Sequence, residues 1–426
     1  TEPRPALSGP ELTINTSHFK IHYTLSNEYS ATVGRHDSTT QMWADSIAVY
    51  AETSWVRSAR LGWATPPPDD TASGDSRYDI FIAGIGDKGR TTPEFSYSDP
   101  QYVNSMTSYM KITVDSIQDP YPKFARLRAL IAHEFSHACQ FRYSGDDEEY
   151  FIYENTSVYM EREIYHGEDD VNTLPNRLLV DYDPLDNPNN SIDHYLPAET
   201  YSYCALWPTF LSEYYENTVV RRAWMYMGIT AGSNTLDAFD HALSDLPLNK
   251  SLKHAMEHYA IWRYFTGERA DNYHYDYASM YPTSYVARTL LSYPATVTPV
   301  LGTTPHINGG TNFIECKNGH VRLIVTFKGD STTQWSVFAI GYCSGEPSDE
   351  IEIPIDSYSG RGSKYIICRG YDYIVLVPIN IGSESNVAGY SYTLTIQDAP
   401  YEFVFFTNKH NDLNLGGKLL RAEIDT

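Results

Sequence analysis

His133, Glu134 and His137 stand in the run His-Glu-Phe-Ser-His at positions 133–137. On a helix four residues are a little over one turn, so both histidines leave from one face and can share a metal ion. Glu134 is rotated by about 100° from His133, which sets its carboxylate beside such an ion rather than on it. There it can take a proton from a water that the metal has made acidic, and the spacing therefore points to metal-assisted hydrolysis. A catalytic zinc keeps three protein ligands and one open position, so a third ligand is needed. Glu154 is the first choice, because a short turn followed by an antiparallel helix brings it back alongside His137. Glu161, two turns further along the same face, is the fallback. The longer form H-E-x-x-H-x-x-G-x-x-H does not apply, since Gln140 and Tyr143 occupy its glycine and histidine positions and His166 lies too far along.

These residues need rigid carriers. Phe124, Leu127, Leu130, Ile131, Phe135 and Ala138 recur at helical spacing, which predicts a helix over 123–141 with a buried face. Two histidines and a glutamate on that face must find partners, and one metal ion can satisfy them. A polar turn over 144–149 leads into a second helix, about 150–165, holding Glu154, Val158 and Glu161. Upstream, 1–17 reads as an extended lead-in and 19–23 alternates as a half-buried strand. A long amphipathic helix follows over 39–61, closed by Gly62 and by Pro66, Pro67 and Pro68. Strands are expected at 78–82 and 110–114; Ile112 and its neighbours could pair with an extended substrate, though an interior strand accounts for them better.

Downstream, 170–198 is rich in Asp, Asn and Pro and reads as loop, whereas 201–267 is helical in four pieces: 207–215, 219–227, 236–243 and 252–265. After about 295 the pattern becomes alternating and β-branched, with strands at 321–327, 335–340, 365–368, 373–377 and 390–396. The expected fold class is α+β. A domain over 1–294 combines a mixed N-terminal sheet with a helical second half, an all-β sandwich covers 295–400, and the tail 401–426 is a hairpin or an assembly segment.

The net charge of −23 repels nucleic acid and anionic membranes. No apolar stretch reaches the roughly 18 residues that a membrane span needs. A chain that begins at Thr1 without Met, and without a signal segment, reads as processed and secreted, extracellular or at the cell surface. Thirty-six tyrosines suit broad half-exposed surfaces that meet other molecules. Five cysteines are an odd number and no C-x-x-C pair occurs, so a thiolate zinc site is not expected. Asp69, Asp70 and Asp75, and separately Asp181, Asp183, Asp186 and Asn187, are candidates for calcium, with solvated acidic turns the better account. His254, Glu257 and His258 form the inverted pattern H-x-x-E-H, but no helix with a carboxylate follows them, so they are expected to be rim histidines. Tyr201, Tyr203 and His194 are nominated to donate a hydrogen bond to a developing oxyanion, because they follow the second ligand helix.

The stretches 19–23, 61–63 with 66–69, and 78–82 resemble a group of secreted bacterial metallopeptidases within the gluzincin class. Members place H-E-x-x-H-A-x-Q-F ahead of an E-x-x-A-x-W-M-E helix. His133 to Phe141 matches the first, and Glu154 to Glu161 the second, with Ser157 for Ala and Tyr159 for Trp. The resemblance spans roughly 15–400 and implies a zincin-like domain followed by the sandwich. It also implies a Zn2+ ion on His133, His137 and Glu154, Glu134 as general base, and a protein or peptide substrate. A different class of function also suits the acidic, tyrosine-rich chain: a surface or assembly protein that keeps the peptidase fold and self-associates through its sandwich or tail.

Overall fold

The computed structural model describes residues 2–68, 74–86, 88–114, 123–145, 150–167, 184–193, 204–230, 232, 234–300, 302–318, 321–383 and 389–399. Its first half is built on one five-stranded sheet: β1 (Leu12–Asn15), β2 (Phe19–Tyr23), β3 (Tyr78–Ala83), β4 (Gly89–Ser96) and β5 (Met106–Thr113). The spatial order is β1-β2-β3-β5-β4. β2, β3 and β5 run parallel, while β1 and β4 are antiparallel strands at the two edges. The 110–114 strand is thus interior, as its apolar content favoured. The open edge belongs to β4, which the polar text around Pro93 hides from a reading by periodicity.

Helix α1 (Gln41–Arg60) makes the crossover from β2 to β3. Thr40 caps it by accepting the Trp43 N–H, and Gly62 beyond its end adopts a left-handed φ of 84°. Helix α2 (Lys123–Tyr143) lies beside α1 on the same face of the sheet. Phe135 is where the layers meet: its ring is 5.8 Å from Phe19 of β2 and 5.7 Å from Trp55 of α1. Leu127, Ile131 and Ala138 share that buried face, so the apolar spacing of α2 is spent on the sheet and fixes which way His133 and His137 must turn.

β3 is buried on both sides. Ile80 and Ile82 face the helices, and Asp79 and Phe81 face the other way, under the N-terminal segment. That segment crosses the outer face of the sheet. Glu2 pairs with Lys111 of β5 at 2.7 Å, the Tyr109 hydroxyl donates to the Pro3 carbonyl, and Arg4 reaches Asp79 and Glu94. The extended lead-in is therefore a strap rather than a loose arm.

Helix α3 (Tyr150–Ile164) packs on α2, followed by α4 (Leu206–Tyr214), α5 (Thr218–Ile229), α6 (Thr235–Ser244) and α7 (Leu252–Tyr264). The four expected helical pieces are all present. One apolar core runs through this half, from Phe19 to Tyr281. Beyond it two sheets face each other. One has the order β13 (Arg361–Ile367), β10 (Arg322–Gly329), β15 (Tyr392–Asp398), β7 (Ala295–Val297). The other runs β12 (Asp349–Glu352), β11 (Trp335–Tyr342), β14 (Tyr373–Asn380), β9 (Ile314–Cys316), β6 (Arg288–Leu290), with β8 (Gly310–Thr311) on β14. The earliest of these strands starts at Arg288, ahead of 295.

The two halves meet on α7, whose Ala260, Ile261 and Tyr264 pack against Phe338 and Ile340 of β11 and Val375 and Val377 of β14. β11 is consequently buried along its whole length. The fold is α+β, with a mixed sheet and helices in one half and two packed sheets in the other. Among the described residues no helix is long and apolar enough to cross a membrane, and Cys139, Cys204, Cys316, Cys343 and Cys368 are all free thiols. The tail 401–426 lies outside the described residues.

Candidate metal centre

The packing of α3 on α2 brings Glu154 back to the two histidines. His133, His137 and Glu154 are the one group of three or more His, Cys, Asp or Glu among the described residues whose ligand atoms lie within 4.8 Å of one another. The Nε2 atoms of His133 and His137 are 3.1 Å apart. Glu154 Oε2 is 3.2 Å from His133 Nε2, and its Oε1 is 3.6 Å from His137 Nε2. Ligand atoms at about 2.0–2.1 Å from a tetrahedral ion stand roughly 3.3 Å apart, so the spacing fits. All three side chains are nearly enclosed, at 7%, 9% and 7% exposure.

The outer nitrogens decide what the inner ones can do. His133 Nδ1 lies 2.9 Å from Glu161 Oε1; a carboxylate can only accept, so Nδ1 donates and Nε2 is left with its lone pair. His137 Nδ1 lies 2.8 Å from Gln140 Oε1. The Gln140 amide cannot turn round, because its nitrogen donates to the Tyr153 carbonyl and to Ser157 Oγ, both at 3.1 Å. His137 Nδ1 therefore donates as well, and its Nε2 is also a lone pair. With both rings neutral, two lone pairs and a carboxylate face one point with no donor among them. Buried acceptors in that arrangement call for a cation.

The electrostatics run the same way. Burial opposes a positive charge on His133, but Glu154 and Glu161 outweigh it and lift its pKa to about 10. Burial would raise the Glu154 carboxyl, but His137 and His133 outweigh that and hold it well below the usual carboxylate range. The pocket attracts positive charge, and the donor set of two imidazoles and one carboxylate suits a divalent metal.

Glu134 follows His133 on α2 and lies against β4, the edge strand among the described residues. Thr91 Oγ1 of β4 lies 2.8 Å from the Glu134 carbonyl and 2.9 Å from its Oε2, and both are acceptors of its proton. Across from the carboxylate is Gly89, where an added Cβ would come within 2.7 Å of Glu134 Oε1 and 2.9 Å of Leu130 Cδ1. The absent side chain at 89 makes room for the carboxylate.

Of the residues proposed from sequence, His133, His137 and Glu154 come together, and Glu134 follows His133 on α2 with its carboxylate against Thr91 of β4. Glu161, the fallback ligand, stands one shell out and holds His133. Tyr201, Tyr203 and His194 lie outside the described residues, as do Asp69, Asp70, Asp181 and Asp183. Asp75 is engaged by Arg77, whose hydrogen bonds hold its pKa down to about 2. His254 and His258 are half-buried at the seam between the two halves, and the carboxylate that no following helix offers them arrives from the sandwich as Glu350, 3.0 Å from His258 Nδ1. Thr91, Gly89 and Gln140 were not foreseen. The position of Gln140, three residues after His137 on one helix face, was a readable signal for it.

The fold and the centre together define an α+β protein with a buried pair of histidines and a glutamate poised for a cation. No protein-family model matches the chain, and no curated protein matches it. Among solved structures, the pre-peptidase C-terminal domain of collagenase from Bacillus anthracis aligns with 27% of this chain and 100% of its own length, at 5% sequence identity and a TM-score of 0.20.

Proposed function

We propose that this chain is a secreted zinc-dependent peptidase of the gluzincin type, a zincin-like domain carrying an appended β-sandwich. The observation that carries this reading is the convergence of three acceptors, His133 Nε2, His137 Nε2 and Glu154, with Glu134 next to His133 on the same helix. A zinc ion held there would act as a Lewis acid and lower the pKa of a water toward ~7. Glu134 then serves as general base: its carboxylate accepts the water's proton as the oxygen attacks a peptide carbonyl, and passes it to the departing amine. Thr91 holds one oxygen of that carboxylate, so the other keeps a fixed direction. Glu161 and Gln140 keep both rings in the tautomer that presents Nε2. Among the described residues no strand pairs with the outer side of β4, so an extended peptide would lie there as an added strand. Tyr201, Tyr203 and His194 remain the nominees for the oxyanion.

The test combines metal analysis of the purified chain with degradation of an unstructured protein such as casein, with and without chelator. We expect about one zinc per chain and chelator-sensitive cleavage that Glu134→Gln lowers by roughly 10²–10⁴-fold while zinc stays bound. Zinc without cleavage would return the chain to the assembly class, and a sizing column would then show self-association. A chain that binds no divalent metal would sink both the peptidase and its mechanism.

A further inference from the structure

This inference rests on the peptidase reading of α2 and concerns how the edge strand beside Glu134 is held. Among the described residues β4 is paired on one side only, through β5. Its ladder is regular from Gly89 to Pro93 and then breaks, with a register shift before Ser96 meets Met106. Pro93 has no N–H to give, and past the shift the strand is held more sparsely, by the Phe95 N–H on Thr107 Oγ1 at 3.2 Å and, just beyond its end, the Tyr97 N–H on the Ser105 carbonyl at 2.8 Å. Glu94 falls just where the ladder fails. Its side chain points to the outer face of the sheet, 5% exposed, and meets the guanidinium of Arg4 as a two-pronged fork: Nε to Oε1 at 2.7 Å and Nη2 to Oε2 at 2.7 Å. The remaining branch, Nη1, reaches Asp79 of β3, which is fully buried and also accepts from His22 Nε2 at 2.8 Å. Arg4 thus ties the edge strand to the middle of the sheet, over the Tyr109 ring of the strand between, 5.7 Å away. Glu2 of the same segment sits between Lys111 of β5 and Arg90 of β4, at 2.7 and 3.8 Å.

Side chains alternate across a strand, so this outer grip bears directly on the inner face. Glu94 and Thr92 point to the strap, while Gly89 and Thr91 point to Glu134. A shift of β4 by an ångström would move Thr91 off the Glu134 carboxylate and disturb the free edge where substrate would pair. We propose that Arg4 is a positioning residue of the hydrolytic site: by clamping Glu94 to Asp79 it holds β4 in the register that presents Thr91 to Glu134. The N-terminal strap, more than 80 residues from β4 in sequence, is then part of the machinery.

The experiment compares the full-length chain with Arg4→Ala and Arg4→Lys by hydrogen exchange, metal content and peptide kinetics. Arg4→Ala should speed amide exchange in 89–96 at least tenfold while α2, α3 and the sandwich keep their protection and zinc stays bound. Its kcat on an extended peptide should fall roughly 10- to 100-fold, as misplacement by about an ångström does. Arg4→Lys, which keeps the charge but loses the fork, should recover part of both effects. Unchanged exchange in 89–96 with unchanged kcat would overturn the proposal. So would faster exchange throughout the sheet with loss of zinc, which would make Arg4 a general stabiliser instead. If the wild-type chain hydrolyses nothing, the peptidase reading fails, and exchange at 89–96 still decides whether Arg4 holds the strand.

Discussion

Two helices in this chain carry a pair of histidines one turn apart with a glutamate between them: His133, Glu134 and His137 on α2, and His254, Glu257 and His258 on α7. Each pair also meets a carboxylate from another element, Glu154 or Glu350. On α2 the outer nitrogens are bound by fixed acceptors, so the inner ones are bare and converge at 3.1 Å. On α7 the outer nitrogens are engaged differently. His254 Nδ1 meets the Tyr215 hydroxyl at 2.7 Å, and His258 Nδ1 lies 3.0 Å from Glu350 without the alignment of a hydrogen bond. The two rings lean on each other, 4.3 Å between centroids, with Tyr214 stacked on His258. Glu257 is occupied by Ser336 and Lys253, whereas among the described residues Glu134 meets Thr91 and the side-chain-free Gly89. Spacing on a helix offers two rings to one face; the partners behind those rings decide whether the result is a metal site or a seam between domains.

The largest effect expected from this contrast is in metal content. His137→Ala or Glu154→Ala should abolish stoichiometric zinc, while His254→Ala and His258→Ala leave it unchanged. Equal loss from both pairs would show that the α7 cluster binds metal too and would end the distinction. Next in size is the loss of the carboxylate that holds His133 Nδ1 on α2. Glu161→Ala should weaken zinc binding roughly 10- to 100-fold, measured by competition with a chelator of known affinity. Glu350→Ala, the corresponding change behind His258, should leave that affinity where it was. An unaltered affinity in Glu161→Ala would mean that His133 chooses its tautomer without help. Gly89→Ala tests the difference between the two glutamates. The new methyl must displace the Glu134 carboxylate or Leu130, so kcat should fall roughly tenfold or more at full zinc occupancy. A variant of normal kcat would show that the carboxylate has room to spare.

The same contrast explains what could be read without a structure. The apolar spacing of α2 and the short turn before α3 were enough to bring His133, His137 and Glu154 together, because each contact is local to one helical hairpin. The α7 pair was expected to lack a carboxylate, since no helix follows it; Glu350 reaches it from β12, nearly a hundred residues on, through a docking of two domains that no local pattern encodes. β4 was missed for a related reason. Pro93, Gly89 and its charged residues argue for a loop. The strand exists because β5 pairs it on one side and Arg4 grips it on the other. Glu161 was nominated as a ligand because helix geometry gives a face but not a depth, and the structure places it behind His133 instead of in front.

The smallest expected effect separates the pairs by their response to acid. Burial, with His258 and Lys250 adding to it and Glu350 opposing, pulls His254 down to about 4, against 6.5 for a free imidazole. Between those values the unfolded chain binds a proton at this residue and the folded chain does not. Its contribution to stability is therefore complete above about pH 6.5, declines as the pH falls toward 4, and is gone below that. His254→Gln should keep an acceptor for Tyr215 and remove this part of the slope. Thermal melting followed from pH 7 to pH 4 should show the wild type losing more of its Tm than the variant, with the difference opening below pH 6.5. Curves that stay parallel across that range would mean that His254 is as easily protonated in the folded chain as in the unfolded one. The seam would then lack the charge conflict that distinguishes it from the pair on α2.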